Sequence, residues 1–214
     1  MPWAAFAWPV WILVSYFIGS LPTAYLITRL ANGQDIRRLG DRNAGAANVY
    51  RSVGAKAGLG VGIIDIAKGA VAVLLVKGLV DSTSLEMAAG VAALAGHNWP
   101  VHLGLQGGRG AAAAVGVLLA ALPALAIPLG LISLVVLFLT RSGIKSLGSF
   151  LIAVPVMAGV ILWVGANSYS YPITAYALAI PLFVGLSHYT SVKLDLYRHP
   201  EPPDLNGQPG KFRD

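Results

Sequence analysis

The chain has 214 residues, of which 56% are hydrophobic and only 11% are charged, and its formal net charge at pH 7 is +6. Ordinary soluble domains carry about 25% charged residues, so this composition excludes a soluble globular protein and indicates an integral membrane protein. The absence of cysteine excludes disulfides, thiolate nucleophiles and iron–sulfur or zinc–thiolate sites.

Long apolar runs predict an all-α membrane bundle, because a helix that spans the bilayer needs about 20 apolar residues. No Lys or Arg precedes the first run, so we expect it to remain as a helix rather than to be cleaved as a signal peptide. Pro22 should weaken or bend that helix near its far end. We predict one domain over residues 1–195 and a polar, Pro-rich, disordered tail over 196–214. The domain is expected to contain about seven transmembrane segments, at residues 3–30, 55–80, 85–95, 111–122, 124–140, 146–164 and 171–186.

The distribution of basic residues predicts an N-terminus outside and a C-terminus in the cytoplasm, because cytoplasmic loops are enriched in Lys and Arg. In this topology only Lys77 lies near the outer face. The positive charge then faces anionic headgroups and phosphorylated metabolites. We therefore expect a multi-pass protein of the inner cell membrane with its active site on the cytoplasmic side. The inner-side basic residues are Arg29, Arg37, Arg38, Arg42, Arg51, Lys56, Arg109, Arg141, Lys145, Lys193, Arg198, Lys211 and Arg213.

The segment 96–110 (GHNWPVHLGLQGGRG) places five glycines, two histidines and one arginine between apolar runs. Glycines allow backbone N–H groups to approach a ligand closely, and Arg109 offers a planar fork of donors. The alanine run after Gly110 predicts a helix whose N-terminus attracts anions. This segment is therefore predicted to bind an anion. His97 is expected to cap or hydrogen-bond the loop, and His102 and His199 are expected to be surface residues.

A second basic loop, residues 35–51, interleaves arginine with asparagine and small residues. Arg51, like Arg109, is embedded among glycine and asparagine donors, which favours contact with a ligand. Arg37 and Arg38 are interpreted instead as anchors to lipid phosphates. On the next apolar segment Asp65 and Lys68 lie three residues apart on one helical face, which favours a paired structural role.

Three segments resemble the motifs of the PlsY-type acyl-phosphate:glycerol-3-phosphate acyltransferases of bacteria: residues 19–25 (GSLPTAY), 40–51 (GDRNAGAANVYR) and 96–110. Their order, separation and predicted inner-side position also match. The resemblance implies a seven-helix membrane enzyme that transfers a fatty acyl group from acyl phosphate to glycerol 3-phosphate. The products would be lysophosphatidic acid and phosphate, in the first step of phospholipid synthesis. This chemistry requires no cofactor, because the mixed anhydride is already activated.

The resemblance also implies roles for individual residues. Arg109, His188 and Asp41 are expected to be catalytic, and Arg51 is expected to contact glycerol 3-phosphate. The glycines of the second loop would cradle phosphate, and the asparagines of the first loop would shape it. The expected substrate-binding residues are Ser20, Arg42, Asn43, Gly45, Asn48, Arg51, His97, Gly107, Gly108 and Gly110.

Several residues depart from the family pattern inside these motifs. The usual GSGN is Gly40-Asp41-Arg42-Asn43 here, a usual threonine is Ala47, GGKG contains Arg109, and the asparagine expected after His188 is Ser191. A carboxylate beside a bound phosphate repels it unless a cation neutralises the carboxylate. Two hypotheses follow: a compensated Asp41–Arg42 ion pair in an active enzyme, or a relative with an altered substrate or without activity.

A rival interpretation is a small transporter or a membrane protein that binds anionic lipids through its basic loops. Gly/Pro breaks and the intramembrane Asp65 would suit a transporter, but we find no inverted repeat between the two halves. The expected partners are acyl phosphate, glycerol 3-phosphate, membrane lipids and a soluble enzyme that produces acyl phosphate. No nucleic acid is expected, since the cations follow membrane topology, and no metal, since the carboxylates are few and scattered.

Overall fold

The computed structural model describes residues 3–80, 82–140, 151–159 and 171–198, and all regular elements in these ranges are helical. Two short 3-10 turns, Ile36–Arg38 and Val101–Leu103, lie within the two basic loops. The helices are α1 (Trp3–Gly19), α2 (Thr23–Asn32), α3 (Ala46–Ser52), α4 (Ala55–Leu79), α5 (Thr83–Asn98), α6 (Ala111–Ala121), α7 (Pro123–Thr140), α8 (residues 151–159) and α9 (Tyr171–Arg198).

The first apolar run is interrupted at the position predicted from Pro22. Helix α1 ends at Gly19, and α2 begins at Thr23 with Pro22 at its N-cap. Gly19 is required at this point, because a Cβ atom there would overlap the backbone carbonyl of Ala93 in α5. The close approach of α1 to α5 therefore places the interruption beside the end of α5, where the second basic loop begins.

The membrane character predicted from composition agrees with the helices. Three stretches are long and apolar enough to span a bilayer: Trp8–Asn32, Ala55–Leu79 and Pro172–Lys193. Shorter apolar helices occupy Ala111–Ala121 and Pro123–Val136. An all-helical membrane fold is thus confirmed at this level, whereas the count of seven spans and the orientation of the termini stay predictions.

The predicted span 146–164 and the predicted tail 196–214 both include residues that the structure does not describe. Within the predicted span 146–164, residues 151–159 are helical and the remainder lies outside the described residues. Helix α9 continues to Arg198, past the predicted end of the last span at 186 and past the predicted start of the tail at 196. Residues 199–214, the rest of that tail, also lie outside the described residues.

Helix α6 is packed tightly against α4 through small residues. A Cβ atom at Gly69 would overlap the carbonyl of Ala113, and one at Gly116 would overlap the carbonyl of Ile66. Small residues of this kind let the backbones of membrane helices approach closely. The contact fixes the N-terminus of α6, and with it the end of the second basic loop, against the middle of α4. The buried core continues from this contact through Val73, Leu94, Val117, Leu118, Tyr176 and Ile180.

Candidate active site

The first basic loop is organised around one buried asparagine, Asn48. Its side-chain amide donates hydrogen bonds to the carbonyl oxygens of Ile36, Leu39 and Asn43, at 3.3, 2.9 and 3.0 Å. Its Oδ1 atom accepts from the N–H of Asp41 at 3.3 Å. A fully buried amide that satisfies this many backbone groups fixes the conformation of the loop. Asn48 therefore fixes the shape of the first basic loop from its buried side.

The carboxylate of Asp41 joins the two basic loops. Its Oδ2 atom lies 2.9 Å from a guanidinium nitrogen of Arg51 and 3.4 Å from one of Arg109. Arg51 is on α3, and Arg109 lies two residues before the start of α6. The two arginines that the sequence singled out therefore converge on a single anionic oxygen. The compensating cations for Asp41 are Arg51 and Arg109, where the sequence had suggested Arg42.

Arg42 itself has an unusual backbone. Its φ angle is +56°, in the left-handed region that favours glycine. The strain at this non-glycine residue is held by the turn around it, in which the N–H of Arg42 donates to the carbonyl of Leu39 at 2.9 Å.

The glycines of the second basic loop hold its shape with their own N–H groups. The N–H of Gly107 donates to the carbonyl of Asn98 and that of Gly108 to the carbonyl of His97, both at 3.1 Å. A Cβ atom at Gly108 would overlap the ring of His97. These two N–H groups are therefore engaged within the protein. Gly107 and Gly108 bring the loop close to α5, and they do not offer free donors for the cradle that the sequence suggested.

Free backbone donors occur one step further along the chain. Gly110 has φ +81°, which turns the backbone into α6. The N–H groups of Ala111, Ala112 and Ala113 have no hydrogen-bond partner within the described part of the chain. The first N–H groups of a helix carry partial positive charge and bind anions. The start of α6 therefore adds donors next to the Arg109 side chain.

The Arg109 side chain is only partly satisfied by Asp41. Its Nε–H is buried and has no hydrogen-bond partner among the described residues. The Oδ1 atom of Asn43 is buried without a partner in the same sense. Buried polar atoms in native proteins are nearly always hydrogen-bonded, so both atoms can accept a partner from outside the protein, a ligand or water.

A polar cluster lies below the two loops, at the interruption between α1 and α2. Asp65 and Lys68 form the ion pair that their spacing predicts, with Oδ1 and Nζ 2.8 Å apart. The hydroxyl of Thr23 donates to Asp65 at 2.5 Å, and Lys68 donates to the carbonyl of Leu21 at 2.9 Å. The pair thus anchors the chain on both sides of Pro22. Its partners, Thr23 and the carbonyl of Leu21, were not found from the sequence, because Pro22 is more than 40 residues away.

His97 lies between this cluster and the second loop. Its ring is buried, and Nδ1 is 3.7 Å from the Oδ1 atom of Asp65, too far for a hydrogen bond. Its backbone carbonyl accepts from Gly108, whereas its ring Nδ1 has no hydrogen-bond partner among the described residues. The loop contact is therefore made by the backbone and not by the ring that the sequence suggested. Together with Ser20, Thr23, Lys68 and Gly107, it lines a small cleft between the interruption and the second loop.

Two basic residues, His102 and Arg37, make contacts that the sequence did not predict. The ring of His102 contacts both the hydroxyl and the carbonyl oxygen of Ser20, with Nε2 at 3.2 and 2.8 Å. Arg37 binds Asp35 at 2.7 Å and donates to the carbonyl of Leu103 at 2.9 Å. His102 is exposed and Arg37 is partly exposed, and each joins the second loop to another segment. Their spacing could not reveal these contacts, because the partners are 66 or more residues apart.

His188 approaches the arginine cluster from α9. Its side chain is exposed, and it is close enough to Arg109 and Asp41 for both charges to act on its ring. The preceding residue, Ser187, accepts a 2.8 Å hydrogen bond from the side chain of Asn98 at the end of α5. That bond joins α9 to the end of α5, where the second loop begins, one residue before His188.

Comparisons with known proteins agree with this arrangement of motifs. A family model described as Glycerol-3-phosphate acyltransferase matches residues 9–195. Glycerol-3-phosphate acyltransferase 4 of Dehalococcoides mccartyi is 41% identical over 182 residues, which cover 84% of this chain and 94% of the relative. Glycerol-3-phosphate acyltransferase of a Thermoanaerobacter species is 38% identical over 169 residues, which cover 78% of this chain and 84% of the relative.

Solved structures give the same result for the fold. The chain is similar to the crystal structure of PlsY (YgiH), an integral membrane glycerol 3-phosphate acyltransferase, in its glycerol 3-phosphate form, with a TM-score of 0.71 and 28% identity. The similarity covers 92% of this chain and 96% of that chain. For the lysophosphatidic acid form the TM-score is 0.65 at 25% identity. The resemblance carried by the three motifs is thereby confirmed.

Proposed function

Because the chain belongs to the glycerol-3-phosphate acyltransferase family, we propose that it transfers a fatty acyl group from acyl phosphate to glycerol 3-phosphate, giving lysophosphatidic acid and phosphate. An acyltransferase acting on glycerol 3-phosphate in a membrane follows from the family. The acyl phosphate donor and the roles of individual residues are what the proposal adds. The rival functions, a transporter or a non-catalytic lipid-binding relative, are not favoured.

One observation supports the proposal most directly: Arg51 and Arg109 meet at a single anionic oxygen. They come from two loops that are far apart in sequence, and the free N–H groups of α6 follow Arg109 directly. Both proposed substrates carry phosphoryl groups, whose oxygens match guanidinium forks and the N-terminus of a helix. The buried Nε–H of Arg109, which lacks a partner in the described ranges, supplies a further donor.

The reaction needs mainly positioning and charge stabilisation. A hydroxyl oxygen of glycerol 3-phosphate forms a bond to the carbonyl carbon of the acyl phosphate. The bond from that carbon to the phosphate oxygen breaks, the phosphate leaves with the electron pair, and the hydroxyl proton is carried away on the phosphate. Cations and N–H donors that face the leaving phosphate lower the barrier, because negative charge develops there.

We assign the roles of individual residues from the family resemblance, and the contacts described above support this assignment. Arg109 binds the acyl phosphate, Arg51 binds the phosphate of glycerol 3-phosphate, and His188 contacts the reacting hydroxyl from α9. The remaining residues position these three. Asn43, Gly45 and Asn48 hold the first loop, Gly107, Gly108 and Gly110 hold the second, and Ser20, Arg42 and His97 support the two loops from the sides.

The choice of donor can be tested directly on the purified protein in detergent. We expect palmitoyl phosphate and glycerol 3-phosphate to yield lysophosphatidic acid and one equivalent of inorganic phosphate. Palmitoyl thioester should give no product under the same conditions. Product formation from the thioester alone would contradict the proposed donor, and no product from either donor would contradict the proposed function.

We further propose seven membrane spans, with the N-terminus outside and the active site on the cytoplasmic side of the inner membrane. The supporting observation is that the two basic loops meet at Asp41 and so lie on the same side of the bundle, as this topology requires. A soluble enzyme that produces acyl phosphate is the partner expected at this basic face.

The absence of cysteine makes the topology easy to test. Single cysteines are introduced at Gln34, in the first basic loop, and at Thr83, at the start of α5, since both side chains are exposed. A membrane-impermeant maleimide applied to cells whose inner membrane is accessible from outside should label Thr83→Cys, and should label Gln34→Cys only after lysis. Labelling in the opposite order would contradict the proposed orientation.

A further inference from the structure

The site already contains an anion of its own. One carboxylate oxygen of Asp41 lies within 3.4 Å of guanidinium nitrogens from both Arg51 and Arg109. These are the two side chains that the proposed function assigns to the substrate phosphates. A phosphoryl oxygen that binds between them must share them with the carboxylate or displace it.

The position of this carboxylate is built into the loop. The N–H of Asp41 donates to the buried Asn48, and its Oδ1 atom accepts from the N–H of Asn43 at 3.4 Å. The backbone and one carboxylate oxygen are therefore held from within the first loop. The other oxygen, Oδ2, is left to face the arginines. The position of the Asp41 carboxylate is thus set by the loop itself and does not depend only on its contacts with the arginines.

The charge balance of the site changes as a result. Arg51 and Arg109 together carry two positive charges, and the Asp41 carboxylate reduces the sum to one. A like charge within a few ångströms disfavours binding of a second anion, and this effect is largest where the groups are partly shielded from water. At 16% and 22% exposure, the Arg109 and Asp41 side chains are shielded in this way.

We propose that Asp41 is a specificity-determining residue that competes with phosphoryl groups for Arg51 and Arg109 and so weakens the binding of phosphate at the active site. This inference rests on the proposed function for the identity of the site. Its consequence is a high KM for glycerol 3-phosphate together with weak inhibition by inorganic phosphate. The phosphate released in the reaction then dissociates readily, because the Asp41 carboxylate pairs again with Arg51 and Arg109.

Replacement of Asp41 by asparagine tests this proposal, because the amide keeps the shape and removes the charge. The Ki of inorganic phosphate and the KM of glycerol 3-phosphate should both fall by about tenfold. Asp35→Asn is the matched control, since Asp35 lies in the same loop and pairs with Arg37, outside the site. It should leave both constants within about twofold of the wild-type values. Unchanged or increased constants in Asp41→Asn would overturn the proposal.

A binding measurement separates this proposal from the proposed reaction. The shift in Tm caused by inorganic phosphate in detergent requires no turnover, and it should be larger for Asp41→Asn than for the wild type. Adding Arg51→Ala to Asp41→Asn should remove the gain, because the effect acts through the arginines. A gain in phosphate binding without any acyl transfer would sink the proposed function and leave this inference standing.

A second substitution covers the case in which the asparagine variant does not fold. Asp41→Ser also removes the charge, and it leaves the backbone N–H free to donate to Asn48. It should tighten phosphate binding in the same direction. Weaker phosphate binding in Asp41→Ser than in the wild type would mean that the carboxylate holds the arginines in a competent position rather than competing with the substrate.

Discussion

Two carboxylate–cation clusters in this protein have the same chemistry and opposite accessibility. In the bundle, Asp65 and Lys68 are 1% and 5% exposed, and Thr23 and the carbonyl of Leu21 complete their hydrogen bonds. At the loops, Asp41 is 22% exposed and Arg51 is 40% exposed, and Arg109 keeps an unpartnered Nε–H among the described residues.

The difference separates a structural ion pair from a binding site. The cluster around Asp65 is closed, since each charge has short contacts within the protein and both side chains are almost fully buried. The cluster around Asp41 is open, and its partners can be exchanged for a ligand at small cost. Removing one partner of a fully buried pair strongly destabilises the fold, whereas a pair in which one partner is exposed, as Arg51 is, contributes little to stability. Substitutions in the first cluster should therefore act on stability, and those in the second on activity.

The largest effect on activity is expected for Arg109→Ala. The loss of one preorganised donor to developing charge typically costs about 100-fold or more in rate, and kcat/KM for lysophosphatidic acid formation should fall by about this factor. Arg109→Lys keeps the charge without the planar fork and should be intermediate. The control is Arg38→Ala, an exposed arginine of the first loop. An equal loss of kcat/KM in Arg109→Ala and Arg38→Ala would contradict the assignment of Arg109 to the active site and of Arg38 to lipid anchoring.

The largest effect on stability is expected for Lys68→Met, which leaves the Asp65 carboxylate buried without its cation. Removing one partner of a buried pair typically costs about 3–5 kcal/mol, and Tm in detergent should fall accordingly. The double variant Lys68→Met with Asp65→Leu should recover much of this loss, since no uncompensated charge remains. A single variant with the Tm of the wild type would show that the cluster is not structural.

A smaller effect on activity is expected for Arg51→Ala. Charge-assisted hydrogen bonds contribute about 1.5–3 kcal/mol, so the KM for glycerol 3-phosphate should rise by about tenfold or more. The KM for acyl phosphate should change less, because Arg109 is still present. Steady-state kinetics with each substrate varied in turn will measure the split. A rise confined to the acyl phosphate KM would exchange the roles of Arg51 and Arg109.

The smallest effect on stability is expected at Asp35 and Arg37, an ion pair of the first basic loop that belongs to neither cluster. Partial burial opposes ionisation of the Asp35 carboxyl, but hydrogen bonds and charge from Arg37 hold its pKa below the usual value. A lowered pKa stabilises the folded state above the unfolded pKa of about 3.9, and this contribution is lost as the pH falls through the folded value. The Tm of the wild type should therefore decline more steeply below about pH 4 than that of Arg37→Ala. Parallel declines would show that the pair contributes nothing to this dependence.

Much of the fold could be predicted from the sequence, because its signals are local. The apolar runs predicted helices α4, α6 and α7 closely, and Pro22 predicted the interruption of the first run. The i, i+3 spacing of Asp65 and Lys68 predicted their pairing, since one turn of a helix brings such residues together. These features depend on backbone geometry within a few residues.

The contacts that define the candidate site could not be predicted in the same way. His102 contacts Ser20 and Arg37 contacts Leu103, although His102 was interpreted only as a surface residue and Arg37 as an anchor to lipid phosphates. One of two hypotheses paired Asp41 with its neighbour Arg42, whereas the structure places its carboxylate against arginines 10 and 68 residues away. Sequence proximity favoured the wrong partner, because it contains no information on how helices are packed.

By itself, the sequence determined the membrane class, the helical segments and the two loops in which glycine and arginine are concentrated. Hydropathy and backbone propensity act along the chain and leave a pattern that can be read there. Only the tertiary structure decided that Arg51 and Arg109 share one anionic oxygen. That meeting depends on the close packing of α1 against α5 and of α4 against α6, where the absence of side chains on a few glycines sets the distance between loops from distant parts of the chain.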